Sequence, residues 1–293
     1  MKSEKVLARE PKILAQEDRE CYFSEGYVSI NGLIKDKWLR KLQNLTSEFV
    51  EISRTAGRDD KRFDFEPDHS EENPRLRRLN HPLDLHELFW EFASNGPFAD
   101  IAEDLLGPDF KFHHSKLNFK WADGGEEVKW HQDIPFWPHT NYDVLTLGCY
   151  LEDVEEDMAP MGVIKKSHAG PLYDHYEGED WKGYIGDQDL PKLAVEEAVY
   201  LGGVAGSVTA HNCRTVHGSA PNRSAKSRPL FLCAYSASDS VPLTDLVVDQ
   251  KYSERTIRGK PSKWPRFDEK PCPLPPPWRR MGGYTSIFDE QQG

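Results

Sequence analysis

Residues 128–133 read Val-Lys-Trp-His-Gln-Asp, and the rest of the chain is arranged around the chemistry they can do. Side chains alternate between faces along an extended strand, so His131 and Asp133 share a face and Gln132 turns away. An imidazole beside a carboxylate is two-thirds of a 2-His-1-carboxylate facial triad. That donor set suits non-haem Fe(II) and leaves coordination positions open. The same spacing occurs in His69-Ser-Glu71 and His175-Tyr-Glu177, so the surroundings and a third ligand must decide. His217, in Thr215-Val216-His217-Gly218-Ser219, is the best third ligand. Eleven residues later Arg228 opens Arg228-Pro-Leu-Phe-Leu-Cys-Ala-Tyr235, which reads as a buried strand.

The elements that must position these groups follow from periodicity. Residues 1–20 are polar and read as a loose arm leading into a short helix. A helix ended by Gly26 and a short strand at Tyr27–Ile30 come next. Residues 35–53 place Trp38, Leu39, Leu42, Leu45, Phe49 and Ile52 on a 3.6-period stripe, which predicts a helix. Residues 54–78 have no period and read as a solvated loop or a flap. Asp84 is placed to cap a helix through Phe92. Pro97 opens another that Gly107 ends.

Period two then takes over. Strands are expected at 110–119, 128–133, 144–151, 161–164, 198–201, 206–210, 214–217 and 228–236. Phe110, Phe112, His114, Lys116 and Asn118 share one face of the first, and its polar groups are expected toward a wet cavity or solvent. Residues 171–197 are acidic and aromatic without a period, and loops this long are often functional, so a lid is expected there. The stretch 261–278 holds seven of the 21 prolines and is expected to run extended over the surface. Helices followed by six or more strands imply an α+β fold whose core is a double-stranded jelly roll. One domain is expected over 1–293, with a helical part at about 12–108, a jelly roll at about 109–240 and a tail at about 255–293.

Composition excludes several functions. The chain has 293 residues, 38% hydrophobic, and a net charge of −12. That charge argues against a nucleic-acid or anionic-membrane partner. No apolar run reaches the roughly 18 residues of a membrane span, and no signal peptide is seen. Five cysteines form no CxxC, and Cys149 and Cys233 read as small buried hydrophobes. A reduced, cytoplasmic setting is expected.

Taken together, Phe23-x-x-Gly26-Tyr27, His114-Ser-Lys-Leu-Asn118, Trp130-His-Gln-Asp133, Ser167-His168, His217-Gly-Ser219 and Arg228 resemble the phytanoyl-CoA hydroxylase family. These are Fe(II)/2-oxoglutarate dioxygenases and include ectoine hydroxylase. The resemblance spans about Tyr22 to Tyr235 and implies the jelly roll already inferred. It implies that His131, Asp133 and His217 bind iron. It also implies that Arg228, helped by Ser219, grips the distal carboxylate of 2-oxoglutarate, with Asn118 lining the cosubstrate site and O2 as the other cosubstrate. The chemistry agrees, because three open positions accommodate a chelating keto acid and oxygen. A guanidinium is also a rigid fork matched to a carboxylate. Arg223 lies near His217 too, but in a polar turn, so Arg228 is preferred.

The chain departs from the family in two places. Ala159-Pro160-Met161-Gly162 stands where relatives often carry Asn-Gly, and position 114 is histidine where some carry glutamine. His113 and His114 read as strand or cavity residues rather than a second metal site. Halogenases of the class lack the carboxylate, so Asp133 favours hydroxylation. Trp137, Tyr142, Trp181 and Tyr184, with the acidic residues around them, imply a small polar or zwitterionic substrate, with an amine or quaternary ammonium among the expected groups. The alternatives are an acyl-CoA or natural-product hydroxylase, a zinc hydrolase and a non-catalytic metabolite-binding jelly roll. Oligomeric state is left open.

Overall fold

Strict alternation along Leu230–Ala237 sets the architecture. Leu230 and Leu232 line an internal cavity, while Phe231, Cys233 and Tyr235 turn to a helical layer. A strand buried on both faces must lie between two layers, and this one does. The computed structural model of the protein describes residues 3–122, 125–245, 250–278 and 287–292.

Its helices are α1 (Ser3–Leu7), α2 (Gln16–Glu25), α3 (Asp36–Ser53), α4 (Pro82–Leu85), α5 (Glu87–Ser94), α6 (Pro97–Leu106) and α7 (Ile287–Gln292). The strands of the first half are β1 (Tyr27–Ile30), β2 (Phe63–Phe65), β3 (Leu76–Asn80), β4 (Phe110–Asn118), β5 (Val128–His131) and β6 (Val144–Tyr150). Those of the second half are β7 (Met161–Val163), β8 (Tyr176–Glu177), β9 (Asp180–Trp181), β10 (Val199–Leu201), β11 (Val208–Asn212), β12 (His217–Ser219), β13 (Leu230–Ala237) and β14 (Thr256–Arg258).

Two antiparallel sheets enclose the cavity. The larger runs β1-β11-β6-β13-β4-β3-β2, with β14 also on β4, and the smaller runs β10-β7-β12-β5. Together they form the expected jelly roll. The outer face of the large sheet packs on Leu42, Leu45 and Phe49 of α3, Phe89 and Phe92 of α5 and Phe98 of α6. Each such side chain stabilises the fold by about 1.5–3 kcal/mol.

Several local expectations are corrected. The N-terminal arm is not loose, because the buried Asp104 carboxylate accepts the backbone N–H groups of Lys12, Ile13 and Leu14. Buried Arg19 ties it further, donating to the carbonyls of Arg9 and Asp104. The helix expected from Asp84 is two, broken at His86, whose extended backbone lets its Nδ1 accept from Leu88 N–H at 3.0 Å. Residues 54–78 are not only loop, since β2 and the start of β3 add a hairpin to the large sheet. Leu76-Arg-Arg-Leu-Asn80 hides its strand character behind charge, but Arg77 is buried against Glu126 at 2.7 Å and Glu66 at 3.6 Å. The strand expected at 214–217 is a turn that reaches β12 only at His217, because Asn212 Oδ1 accepts the Arg214 N–H at 3.0 Å.

Four buried, neutral histidines have a thermodynamic consequence. Burial lowers His114 and His175 to about 3 and His139 to about 4, and holds His113 well below its usual 6.5. Unfolded, each titrates near 6.5. Their full contribution to stability is therefore present above that pH. It is lost progressively as pH falls toward 3–4, at up to about 1.4 kcal/mol per pH unit per histidine. The melting temperature of metal-free protein should drop steeply once pH falls below about 6.5. A melting temperature that stays level down to pH of about 5 would contradict this.

Candidate active site

Strand pairing brings the histidines together. His131 ends β5 and His217 opens β12, and the two are direct cross-strand partners with ring centroids 4.1 Å apart. The strand ends at His131, so Asp133 sits in the turn beyond it, on the same side. Buried Gln132 faces away and clamps the following loop. Its Oε1 accepts from Tyr173 N–H at 2.9 Å and its Nε2 donates to the Arg214 carbonyl at 2.7 Å.

One ligand atom from each of His131, Asp133 and His217 lies within 4.8 Å of the others, and all three residues are buried. No other such group is found among the described residues. Each imidazole is oriented by a backbone carbonyl. His131 Nδ1 is 2.8 Å from the Lys129 oxygen and His217 Nδ1 is 2.9 Å from the Thr215 oxygen. Nδ1 must therefore carry the proton, and both Nε2 lone pairs converge on Asp133 Oδ1, each at 3.8 Å. This is the carbonyl-oriented histidine of metal centres. The other Asp133 oxygen is held by the opposite sheet, through Thr146 Oγ1 at 3.0 Å and His211 Nε2 at 3.3 Å.

The protonation states fit a cation. Burial lowers His131 to about 4 and His217 well below 6.5, so both are neutral donors near pH 7. Burial alone would raise Asp133, but the hydrogen bonds that its second oxygen accepts from His211 and Thr146 favour the charged form, and the carboxylate is held well below its usual range. Two neutral imidazoles and one carboxylate match Fe(II) in ligand type.

The cavity beside this cluster is lined by the three residues, with Lys116, Asn118, Lys120, Thr146, His211, Ser219 and Arg228. Arg228 is 3% exposed, and its Nε and Nη1 have no hydrogen-bond partner among the described residues. Burying a guanidinium with unmade hydrogen bonds is costly unless an anion completes it. A planar diacid terminus would do so. Asn118 Oδ1 accepts from Arg78 Nε at 3.0 Å. Lys120 Nζ donates to the Ser219 and Ala220 carbonyls, and burial beside Arg228 lowers it to about 6. Ile287 and Phe288 of α7 close one side, and Gln291 pins that helix to Lys129 N–H at 2.8 Å.

The four aromatics expected at the substrate are not among the cavity-lining residues. Trp137 packs against His113, and the Tyr142 hydroxyl donates to the Lys270 carbonyl. Trp181 stacks on His175, and Tyr184 lies under the Lys129 ammonium. The segment 171–197 holds the β8–β9 hairpin and is anchored where Gln132 N–H donates to His175 Nε2 at 3.0 Å. Gly26 and His168 serve packing. The φ of +87° at Gly26 suits glycine, a Cβ there would strike the His168 ring, and His168 Nε2 contacts the Phe23 carbonyl at 3.2 Å. Sequence reasoning missed His211 and Thr146 as partners of Asp133. For Lys116 the sequence shows only its face of β4.

A jelly roll with a two-histidine, one-carboxylate cluster beside a buried arginine marks a class of oxygen-using iron proteins. The sequence profile of the phytanoyl-CoA dioxygenase (PhyH) family matches residues 22–230, and the chain belongs to that family. It is an iron- and 2-oxoglutarate-dependent dioxygenase. A probable alpha-ketoglutarate-dependent hypophosphite dioxygenase of Stutzerimonas stutzeri is 31% identical over 96% of this chain and 98% of its own. The L-proline trans-4-hydroxylase of Streptomyces griseoviridis is 28% identical over 57% of this chain and 69% of its own. Among solved structures, EctD from S. alaskensis with 2-oxoglutarate and 5-hydroxyectoine shares the fold. Its TM-score is 0.69 at 21% identity, over 91% of this chain and 92% of that one. Among the described residues no helix is long and apolar enough to cross a membrane.

Proposed function

We propose that the chain hydroxylates a small polar molecule, with His131, Asp133 and His217 as the iron ligands and Arg228 as the anchor of 2-oxoglutarate. The observation that carries this is the juxtaposition of three convergent, metal-ready ligands with a buried, hydrogen-bond-deficient guanidinium in one cavity. Iron bound there would supply the oxygen-activating chemistry. The chain's own residues do the rest. Thr146 and His211 fix the Asp133 carboxylate, so one of its oxygens stays free toward the cation. The Lys129 and Thr215 carbonyls fix the imidazole tautomers.

Ser219 and Asn118 flank the arginine and complete the polar floor for the cosubstrate. Leu230, Leu232, Met161, Ile287 and Phe288 exclude water from the reacting centre. The whole chain would act as one catalytic domain. Five unpaired cysteines are in keeping with a reducing cytoplasm. The relatives named for hypophosphite and L-proline support a compact, polar substrate over an acyl-CoA. Incubation with Fe(II), 2-oxoglutarate and a substrate panel should give succinate and consumed O2 in equal amounts. Product formation with zinc in place of iron, without succinate, would replace this reading by a hydrolase.

A further inference from the structure

Lys116 is the cavity cation that the cosubstrate does not account for. It lines the cavity from β4, between Asn80 of β3 and Leu232 of β13, and is partly buried. The other cations nearby have partners or an assigned anion. Lys120 is held by two carbonyls, Arg78 by Asn118 Oδ1 and Asp64, and Arg228 faces the cosubstrate carboxylate in the reading above. Among the described residues no hydrogen bond and no ion pair within 4.0 Å is found at the Lys116 ammonium, which feels the Asp133 charge only from further away. Asp133 is the sole carboxylate among the lining residues, and it is committed to the metal cluster.

Position separates Lys116 from Arg228. Arg228 and Lys120 exchange backbone hydrogen bonds of 2.8 and 3.2 Å, so they lie in one row across the two strands. Lys116 is four residues further along β4, and at about 3.3 Å per residue its row is about 13 Å away. The two cations therefore enter the cavity from rows at opposite ends.

Charge counting agrees. With Lys120 lowered to about 6 and so neutral near pH 7, a divalent iron, Arg228 and Lys116 stand against Asp133 and the two carboxylates of 2-oxoglutarate. One positive charge then stays uncompensated in a cavity walled by Leu230, Leu232, Met161 and Phe288. An unpaired charge in apolar surroundings is costly, and one ligand anion removes the cost.

We propose that Lys116 holds the primary substrate, and that this substrate is a small molecule carrying one oxyanion (phosphonate, phosphinate or carboxylate) next to the bond that is hydroxylated. The proposal rests on the iron and 2-oxoglutarate reading. In the net reaction one atom of O2 enters a substrate C–H or P–H bond as hydroxyl and the other enters succinate. Loss of CO2 accompanies the two-electron oxidation of 2-oxoglutarate, and the substrate gives the other two electrons. The recognised group is the oxyanion, whether or not an amine accompanies it.

Anaerobic calorimetry on protein loaded with Fe(II) and 2-oxoglutarate tests this without turnover. The probes are methylphosphonate, hypophosphite and isobutyrate, with tetramethylammonium as the cationic control. Wild type should bind at least one oxyanion and not the control. Lys116→Gln and the similarly sized Lys116→Met should each weaken that binding by about tenfold or more, and Lys116→Arg should restore most of it. Half-saturation by 2-oxoglutarate, read from its visible charge-transfer band, should stay within about twofold in all three. The proposal is overturned if oxyanion affinity is unchanged in the neutral variants, if only tetramethylammonium binds, or if 2-oxoglutarate affinity falls in their place. Wild type that develops the band yet binds no oxyanion sinks this proposal alone, whereas wild type without the band sinks the cosubstrate reading beneath it.

Discussion

Replacing His131, Asp133 or His217 by alanine is expected to abolish iron binding and turnover while the fold persists. Each residue supplies one of three ligand atoms in a cluster less than 5 Å across. None belongs to the apolar layer between helices and sheet that carries most of the burial. Metal retained after gel filtration, together with the melting temperature, separates loss of ligand from loss of fold. The outer partners should matter less. His211→Gln or Thr146→Val leaves all three ligands present but removes one of the two bonds that hold the second Asp133 oxygen. Loss of such a partner typically costs ~10–100-fold in metal affinity or activity. A triad variant that keeps stoichiometric iron and turnover would remove its residue from the ligand set.

The second large effect concerns Arg228. Alanine there should raise the half-saturating 2-oxoglutarate concentration by about tenfold or more, because losing one partner of a desolvated charge pair costs roughly 2–5 kcal/mol. The side chain is 3% exposed with two nitrogens awaiting an acceptor. Arg223 is exposed in the preceding turn, so Arg223→Ala should change little. Steady-state kinetics on the two variants decides between them. The opposite ranking would mean that the turn arginine holds the cosubstrate.

What could be read from sequence depended on how local the signal is. His131 and Asp133 share a short stretch whose alternation is visible in six letters, and His217 with Gly-Ser behind it stands out beside a buried strand. Apolar strands such as Val144–Tyr150 were legible because they are buried on both faces. Contacts between sheets were not. Thr146 and His211 become partners of Asp133 only once β6 and β11 face the end of β5, and no spacing along the chain encodes that.

Charge and aromaticity misdirected the reading elsewhere. Arg77 and Arg78 made β3 look like loop, although Glu66 and Glu126 pair with the first and Asn118 accepts from the second. The rim aromatics looked like a substrate box, yet Trp137 and Trp181 pack among histidines and the cavity wall comes from aliphatic residues and α7. Lys116 shows the converse. Its face on β4 was visible, but its lack of a partner is a property of the folded cavity.

The central claim is that one cavity holds iron on three residues and 2-oxoglutarate on the metal and Arg228 together. Anaerobic titration of the purified protein with Fe(II) and then 2-oxoglutarate measures this directly. A weak visible charge-transfer band should appear only when both are present. It should saturate at one 2-oxoglutarate per chain, vanish in each triad variant, and need a higher 2-oxoglutarate concentration in Arg228→Ala. A band that survives all three triad replacements, or none in the wild-type protein, would contradict the account.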